Sequence, residues 1–239
     1  MKNQYFGDKH DFYKYDLLLE LMGSSLGFEQ LVLIWMLTPD DPRGDGEITG
    51  YKAGQRDESL HDWLQTQHHH RHRDVGRLAD CPGFAEAAWR FMPVLDLVPD
   101  DPDLRARYFE LTAGALTKPS LVFVDPDNGF LVKTAKRAAW PKYVDYPDVA
   151  KLHGAMGDES LLLVFQYVER FANRKEFYDR KLRELEERCG ISDAAVIAPD
   201  GEVAYVLIAE SAARLAQVVD ALKPYIAKHK FKYPQDAPS

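Results

Sequence analysis

The stretch Asp125-Pro126-Asp127-Asn128-Gly129 places two carboxylates and an amide directly after an apolar run over 121–124. Proline fixes φ and has no N–H for a sheet ladder, so a strand must end there. The following Asn-Gly pair favours a tight turn. The sequence therefore predicts a short acidic lip at the end of a buried strand. Carboxylates accept hydrogen bonds and an amide both donates and accepts, so this lip could bind an amino group or the edge of a base. Alternatively, its aspartates only cap nearby backbone.

Hydrophobic periodicity and turn residues predict the elements that would position this lip. The pattern indicates buried strands alternating with helices, followed by one late hairpin. The expected strands cover 31–38, 94–98, 120–125 and 160–168, and the hairpin turns at 199–201. The expected helices cover 12–22, 57–78, 84–91, 101–116, 146–156, 174–190 and 211–229.

This alternation predicts an α/β fold with a Rossmann-like, mostly parallel sheet and helices on both faces. The hairpin adds an antiparallel edge. We expect one α/β domain over 1–239, with a helical and loop insertion over 41–83 after the first strand. Ligands of such sheets bind beyond the carboxyl ends of the strands, where the strand order reverses. Asp125 would therefore lie at the ligand-binding edge.

Composition excludes several classes of protein. The 239 residues carry a net charge of −8, and the two cysteines, Cys81 and Cys189, form no CxxC pair. This argues against a disulfide scaffold and a zinc ribbon. The charged, aromatic N-terminal segment is unlike a signal peptide, and the longest apolar runs have about eight residues, whereas a membrane span needs roughly 20. We expect a cytoplasmic protein without a membrane partner.

The segment LVFVDPDNGF over 121–130 resembles the strand-end motif Asp/Asn-Pro-Pro-Tyr/Phe of S-adenosylmethionine-dependent amino-methyltransferases. The resemblance implies a methyltransferase-type sheet with the catalytic residues Asp125, Pro126, Asp127 and Asn128. It also implies transfer of a methyl group from S-adenosylmethionine to a nitrogen, with Asp125 accepting a hydrogen bond from the amine.

The N-terminal segment 7–22 is similar to the Gly-Asn-x-x-Asp-x-x-Lys-His signature of the large-subunit ribosomal-RNA adenine-N6 methyltransferases. The matching positions are Gly7, Asp8, Asp11, Lys14 and Tyr15. The resemblance implies that Asp11 and Lys14 border the cofactor and that Tyr5 lies near the substrate base.

Two features depart from this family. The Gly-x-Gly turn after the first strand is replaced by Thr38, Pro39, Asp40 and Asp41, so Thr38 and Asp40 become the expected cofactor contacts. Asp127 and Asn128 stand where the motif has its second proline and its aromatic residue, so Phe130 or Tyr5 would have to stack on the base. An acidic residue after the second strand, Asp96 or Asp100, is the expected ligand of the cofactor ribose.

The segment 133–143 follows the lip and alternates cations with aromatic residues. Its members Lys133, Lys136, Arg137 and Trp140 are the expected substrate contacts, because cations and a stacking ring suit a single-stranded backbone and its bases. RNA or DNA is therefore the expected partner, and an ordinary surface loop is the alternative.

Two other functions use the same residues. Asp125, Asp127 and Lys133, with Asp40 and Asp41, could bind Mg²⁺ or Mn²⁺ in a metal-dependent nuclease or phosphodiesterase. A non-catalytic binding module of the same fold is also open. His68 and His72 could share an ion if both lie on one helix, but a solvated cationic helix end explains them as well. The sequence therefore assigns no metal ligands.

Overall fold

The computed structural model describes residues 1–40, 50–116, 119–169 and 173–233. The strands are β1 (Gln30–Ile34), β2 (Arg90–Val94), β3 (Ser120–Val124), β4 (Leu161–Tyr167), β5 (Ala194–Ile197) and β6 (Val203–Ile208). The helices are α1 (Lys9–Gly23), α2 (Glu58–His69), α3 (Pro82–Ala85), α4 (Pro102–Ala113), α5 (Tyr146–His153), α6 (Arg174–Cys189) and α7 (Ala212–His229). Short 3₁₀ helices cover Asn3–Tyr5, Val75–Asp80 and Arg137–Lys142.

The six strands form one sheet in the order β2-β1-β3-β4-β6-β5. The pairs β1–β2, β1–β3 and β3–β4 are parallel, whereas β6 pairs antiparallel with β4 and with β5. This is the mostly parallel, Rossmann-like sheet with a late antiparallel hairpin that the sequence predicts, and it is consistent with a methyltransferase-type fold. The strand order reverses between β1 and β3, which makes their carboxyl ends the expected ligand edge.

Successive side chains of a strand point to opposite faces of the sheet, so each central strand contributes residues to the apolar clusters on both faces. One apolar cluster contains Leu31, Leu33 and Trp35 and packs against α1, α2 and α7. The other contains Val32 and Ile34 and packs against α4, α5 and α6. Both faces are thus covered, and β1, β3 and nearly all of β4 are fully buried.

Several predicted elements have different bounds in the structure. The helix expected over 84–91 is only the single turn of α3, and the second strand begins at Arg90 rather than Val94. The polar helix expected over 57–78 ends at His69, and a 3₁₀ helix follows after a short break. The first strand ends at Ile34, four residues before its expected end.

The predicted insertion is only partly described, since 41–49 lie outside the described residues. Its helix α2 buries Leu60 and Leu64 in the same apolar cluster as α1. The idea that His68 and His72 share a helical face is wrong, because α2 ends at His69. Instead, the rings of His70 and His72 stack with their centroids 5.6 Å apart.

In the described part of the chain, each helix is either too short or too polar to cross a bilayer.

Candidate functional site at the carboxyl edge of the sheet

The carboxyl ends of β1, β3 and β4 meet the first half of α1 and the β5–β6 turn at one edge of the sheet. Val203 at the start of β6 pairs with Tyr167 at the end of β4, so the turn over 198–202 lies at this edge. The backbone N–H of Asp125, directly after β3, donates to the Ile34 carbonyl at the end of β1, with 2.8 Å between N and O. Asp125 is therefore fixed at the reversal of strand order.

Lys14 and Asp125 form a buried ion pair at this point. The Lys14 Nζ lies 2.8 Å from Asp125 Oδ2 and 3.2 Å from Asp11 Oδ1. Burial lowers the pKa of Lys14, but Asp125 and Asp11 outweigh this effect and raise it well above its usual range. Lys14 thus carries a positive charge, 4.2 Å from the ring centroid of Phe165 on β4.

The second oxygen of Asp125 is the unusual atom of the site. The residue is 1% exposed, and Oδ1 is buried without a hydrogen-bond partner among the described residues. A buried polar atom normally has a partner, so an orphaned carboxylate oxygen at a ligand edge indicates a place where a ligand donor could bind. Burial raises the pKa of Asp125, and Lys14 opposes this by stabilising the ionised carboxylate.

The Asp11 carboxyl group, which also contacts Lys14, has a pKa well above that of an ordinary aspartate. Burial raises its pKa to about 8, against the lowering effect of Lys14. Its Oδ2 accepts hydrogen bonds from the Gly7 N–H at 3.2 Å and the Tyr15 hydroxyl at 3.4 Å. The Trp35 indole N–H in turn donates to the Tyr15 oxygen at 3.1 Å. This network orients Asp11 toward Lys14 from one turn earlier on α1.

Asp127 lies on the other side of the lip and contacts the segment that follows β1. Its Oδ2 accepts a hydrogen bond from the Thr38 hydroxyl at 2.9 Å, and its Oδ1 lies 2.6 Å from the Met1 amine. The same amine donates to the Met36 carbonyl at 3.2 Å. The Met1 amine therefore lies between the ends of β1 and β3, and burial lowers its pKa although Asp127 opposes this. Met36 has a φ of +47°, so the chain makes its left-handed turn after β1 without a glycine.

The turn of the lip packs against Gln166 of β4. Gly129 has a φ of +88°, and a Cβ at this position would lie 2.5 Å from the Gln166 side chain. The Gln166 Oε1 accepts the Phe130 N–H at 2.9 Å, and the Asn128 N–H donates to the Lys142 carbonyl at 2.9 Å. Sequence reasoning missed Gln166, since its role depends on a contact with β4.

The structure corrects one expected base-stacking residue. The Phe130 ring belongs to the apolar cluster under α5, with its centroid 5.2 Å from that of Tyr146, so the ring is used in core packing rather than offered to a base. Tyr5 remains half-buried at the same edge, and the Lys2 Nζ lies 3.5 Å from its hydroxyl.

Asp40 and Asp96, the expected cofactor contacts farther from the lip, are both exposed. Asp40 Oδ1 accepts the Gln4 N–H at 3.2 Å, which brings the N-terminal segment to the end of β1. Asp96 follows β2 between the exposed side chains of Leu95 and Leu97. The Leu97–Leu37 bridge places this segment beside the one after β1.

The four expected substrate contacts lie on one segment after the lip. Lys133, Lys136 and Arg137 are exposed, and the Arg137 guanidinium lies 4.3 Å from the Trp140 ring centroid. Arg137 and Trp140 also line a cleft of about 210 Å³ between this segment and the start of α4.

The metal site predicted for the nuclease hypothesis lacks support from the described geometry. Asp125 contacts the Lys14 ammonium group and Asp127 contacts the Met1 amine, whereas Lys133 is exposed. Among the described residues, neither aspartate belongs to a group of three metal-ligand side chains. Asp41 lies outside the described residues.

Comparisons with known proteins leave the family open. No protein-family model matches the chain, and no curated protein matches it. Among solved structures, the chain is similar to the crystal structure of a DUF574 family protein from Streptomyces avermitilis. The two share 15% sequence identity with a TM-score of 0.35, over 82% of this chain and 80% of that chain. A score this low supports no argument, so the fold class depends on the strand order and pairing described above.

Proposed function

We propose that the carboxyl edge between β1 and β3 binds S-adenosylmethionine and that the protein transfers its methyl group to an amino group of a nucleic-acid base. The observation that carries the proposal is the buried, unpartnered Oδ1 of Asp125 at the reversal of strand order, among the residues that the structure describes. The motif resemblance around Asp125 and Lys14 supports the choice of ligand.

The side chains at this edge fit the polar groups of the cofactor. Asp127 and the Met36 carbonyl, which contact the Met1 amine, would accept hydrogen bonds from the ammonium group of the methionine moiety. Cofactor binding there requires Met1 to move. Asp96 offers a carboxylate for the ribose hydroxyls, and Leu95 and Leu97 offer apolar contact for the adenine. When bound, S-adenosylmethionine supplies an electrophilic methyl group.

The chain's own residues would orient the substrate amine. Lys14 pairs with Oδ2 of Asp125, which leaves Oδ1 to accept a hydrogen bond from the amine. Because Asp125 is 1% exposed, the site must open, as it would when Met1 moves, before the amine can reach this oxygen. A carbonyl of the lip, at Pro126 or Asp127, would accept the second amine hydrogen. Positioning of the amine is the main contribution expected of the protein, because proximity and orientation alone can supply several kcal/mol.

Nucleic acid is the proposed substrate because the segment after the lip carries three exposed cations and Trp140. The Arg137–Trp140 stack and the adjoining cleft offer an aromatic face for a base beside positive charge for phosphates.

The experiment is transfer of a labelled methyl group from S-adenosylmethionine to mixed cellular RNA and to single-stranded DNA. Asp125→Ala should reduce transfer at least about 100-fold, since it removes both oxygens that could accept a hydrogen bond from the reacting amine. The matched control is Asp158→Ala, which removes an exposed carboxylate before β4, at the opposite edge of the sheet. Full transfer by Asp125→Ala, or no incorporation by the native protein, would contradict the proposal.

A further inference from the structure

A second cluster of polar side chains lies at the same edge of the sheet and takes no part in the proposed methyl transfer. It consists of His10 on α1 and of Asp200 and Glu202 in the β5–β6 turn. One ligand atom from each side chain lies within 4.8 Å of the other two.

His10 has the environment of a metal ligand. The residue is 9% exposed, and its Nε2 is buried without a hydrogen-bond partner among the described residues. Its ring meets the Tyr167 ring edge-on, with the centroids 6.0 Å apart, so the imidazole is held in place.

The β5–β6 turn fixes the Asp200 carboxylate. Oδ1 accepts the Glu202 N–H at 2.8 Å and the Val203 N–H at 3.1 Å. Oδ2 accepts no hydrogen bond from the described residues, and the Lys9 Nζ lies 3.7 Å from it. One oxygen is therefore used by the turn and the other is available.

Glu202 supplies a third and adjustable ligand. Its Oε2 lies 3.7 Å from His10 Nε2, and its side chain is 71% exposed. Because Zn²⁺ bonds to nitrogen and oxygen are about 2.0–2.2 Å long, Glu202 Oε2 and His10 Nε2 must lie somewhat closer together than 3.7 Å to share one ion. The exposed glutamate can make that adjustment without disturbing the core.

We infer that His10, Asp200 and Glu202 form a binding site for a divalent transition-metal ion of the Zn²⁺ class, which joins α1 to the β5–β6 turn. One imidazole and two carboxylates are ligands that Zn²⁺ accepts, and three protein ligands leave the fourth position of a tetrahedral site to water. This site is independent of the proposed methyl transfer.

The test must exclude the histidine-rich end of α2, which offers further imidazoles to a metal ion. A background variant therefore replaces the exposed His69, His70 and His72 by alanine. The full chain, treated with a chelator and dialysed, is titrated calorimetrically with Zn²⁺ alone. We expect one equivalent to bind to this background variant.

The decisive substitutions are Asp200→Asn and Glu202→Gln. The amide introduced by Asp200→Asn would keep one oxygen to accept the two turn N–H groups, so this variant should fold normally. Each substitution should weaken Zn²⁺ binding at least about tenfold, because even outer-shell substitutions cost roughly 10–100-fold in metal affinity. Glu187→Gln, which removes an exposed carboxylate on α6, should bind Zn²⁺ like the background. Lys9→Met should tighten binding by removing a nearby cation.

A second readout does not depend on calorimetry. Zn²⁺ should raise the Tm of the background variant, and at the same Zn²⁺ concentration it should raise that of Asp200→Asn less. The inference is overturned if the background variant binds no Zn²⁺ at one equivalent, or if Asp200→Asn and Glu202→Gln bind it as tightly as the background.

Discussion

Lys14 and Asp125 are 111 residues apart in the chain, yet Lys14 Nζ and Asp125 Oδ2 lie 2.8 Å apart in the interior. Their side chains are 4% and 1% exposed. The pair joins α1 to the end of β3, and it uses only one of the two Asp125 oxygens. It therefore connects the stability of the fold to the site proposed for the substrate amine.

Lys14→Met should destabilise the protein by about 3–5 kcal/mol, because it leaves a buried carboxylate without its main partner. Urea unfolding measures this change. Adding Asp125→Asn to Lys14→Met should recover part of the loss, since the uncompensated charge is removed. Lys151→Met is the matched control, because its pair with Glu110 is exposed and should contribute only about 0–1 kcal/mol. Equal losses in Lys14→Met and Lys151→Met would show that the buried pair does not stabilise the fold.

Asp11 should make stability depend on pH. Its folded-state pKa of about 8 lies above the value of roughly 3.9 expected in the unfolded chain. The folded protein thus keeps a proton that the unfolded chain releases. This contribution to stability is fully present below about pH 4 and is lost as pH rises toward 8, by at most about 1.4 kcal/mol per pH unit. Asp11→Asn should flatten this slope in urea unfolding measured from about pH 5 to about pH 9. An unchanged slope would contradict the raised pKa.

Gly129→Ala should destabilise the protein by about 1–3 kcal/mol, because alanine is strained at a φ of +88° and its Cβ would meet Gln166. Gly157→Ala is the control, since a Cβ there meets nothing within 4 Å, and its effect should stay within about 0.5 kcal/mol. The Tm of each variant is measured by thermal unfolding. Similar Tm values for Gly129→Ala and Gly157→Ala would show that the turn at Gly129 can shift to accept a Cβ.

The alternation of buried strands and helices made the fold class predictable. Continuous apolar runs such as 121–124 identify strands covered on both faces, and Gly190 and the Pro199–Gly201 turn mark the end of α6 and the hairpin. The sequence pattern placed the second strand at VLDLV (94–98), because its residues alternate as in a strand. In the structure, β1 pairs with Arg90–Val94 instead. Local pattern could not reveal this register, which depends on pairing with a distant strand.

The candidate site was only partly predictable for the same reason. The sequence identifies Asp125 and Lys14 as separate residues of interest, but it contains no signal that they contact each other. His10 and Asp200 are 190 positions apart in the chain, so no motif with metal-ligand spacing could predict that they lie close together. The Met36 turn also escaped prediction, because a left-handed residue after β1 is expected to be glycine.

Trp140→Ala should weaken binding of single-stranded RNA by about 1–3 kcal/mol, through loss of stacking on a base. Replacing Lys133, Lys136 and Arg137 by alanine should also reduce the salt dependence of binding, since fewer counterions are released. Arg183→Ala, an exposed cation on α6, is the control and should change neither quantity. Fluorescence anisotropy at several salt concentrations measures both the affinity for RNA and its salt dependence. If Arg183→Ala changes them as much as the substitutions in 133–140, the RNA does not bind at the segment after the lip.

The most direct test of the account is calorimetric titration of the purified protein with S-adenosylmethionine and S-adenosylhomocysteine. We predict one binding site with a dissociation constant on the order of micromolar, corresponding to about 8 kcal/mol. Asp96→Ala should weaken this binding, and Asp158→Asn should not. Absence of binding for both adenosyl ligands would contradict the proposed cofactor site.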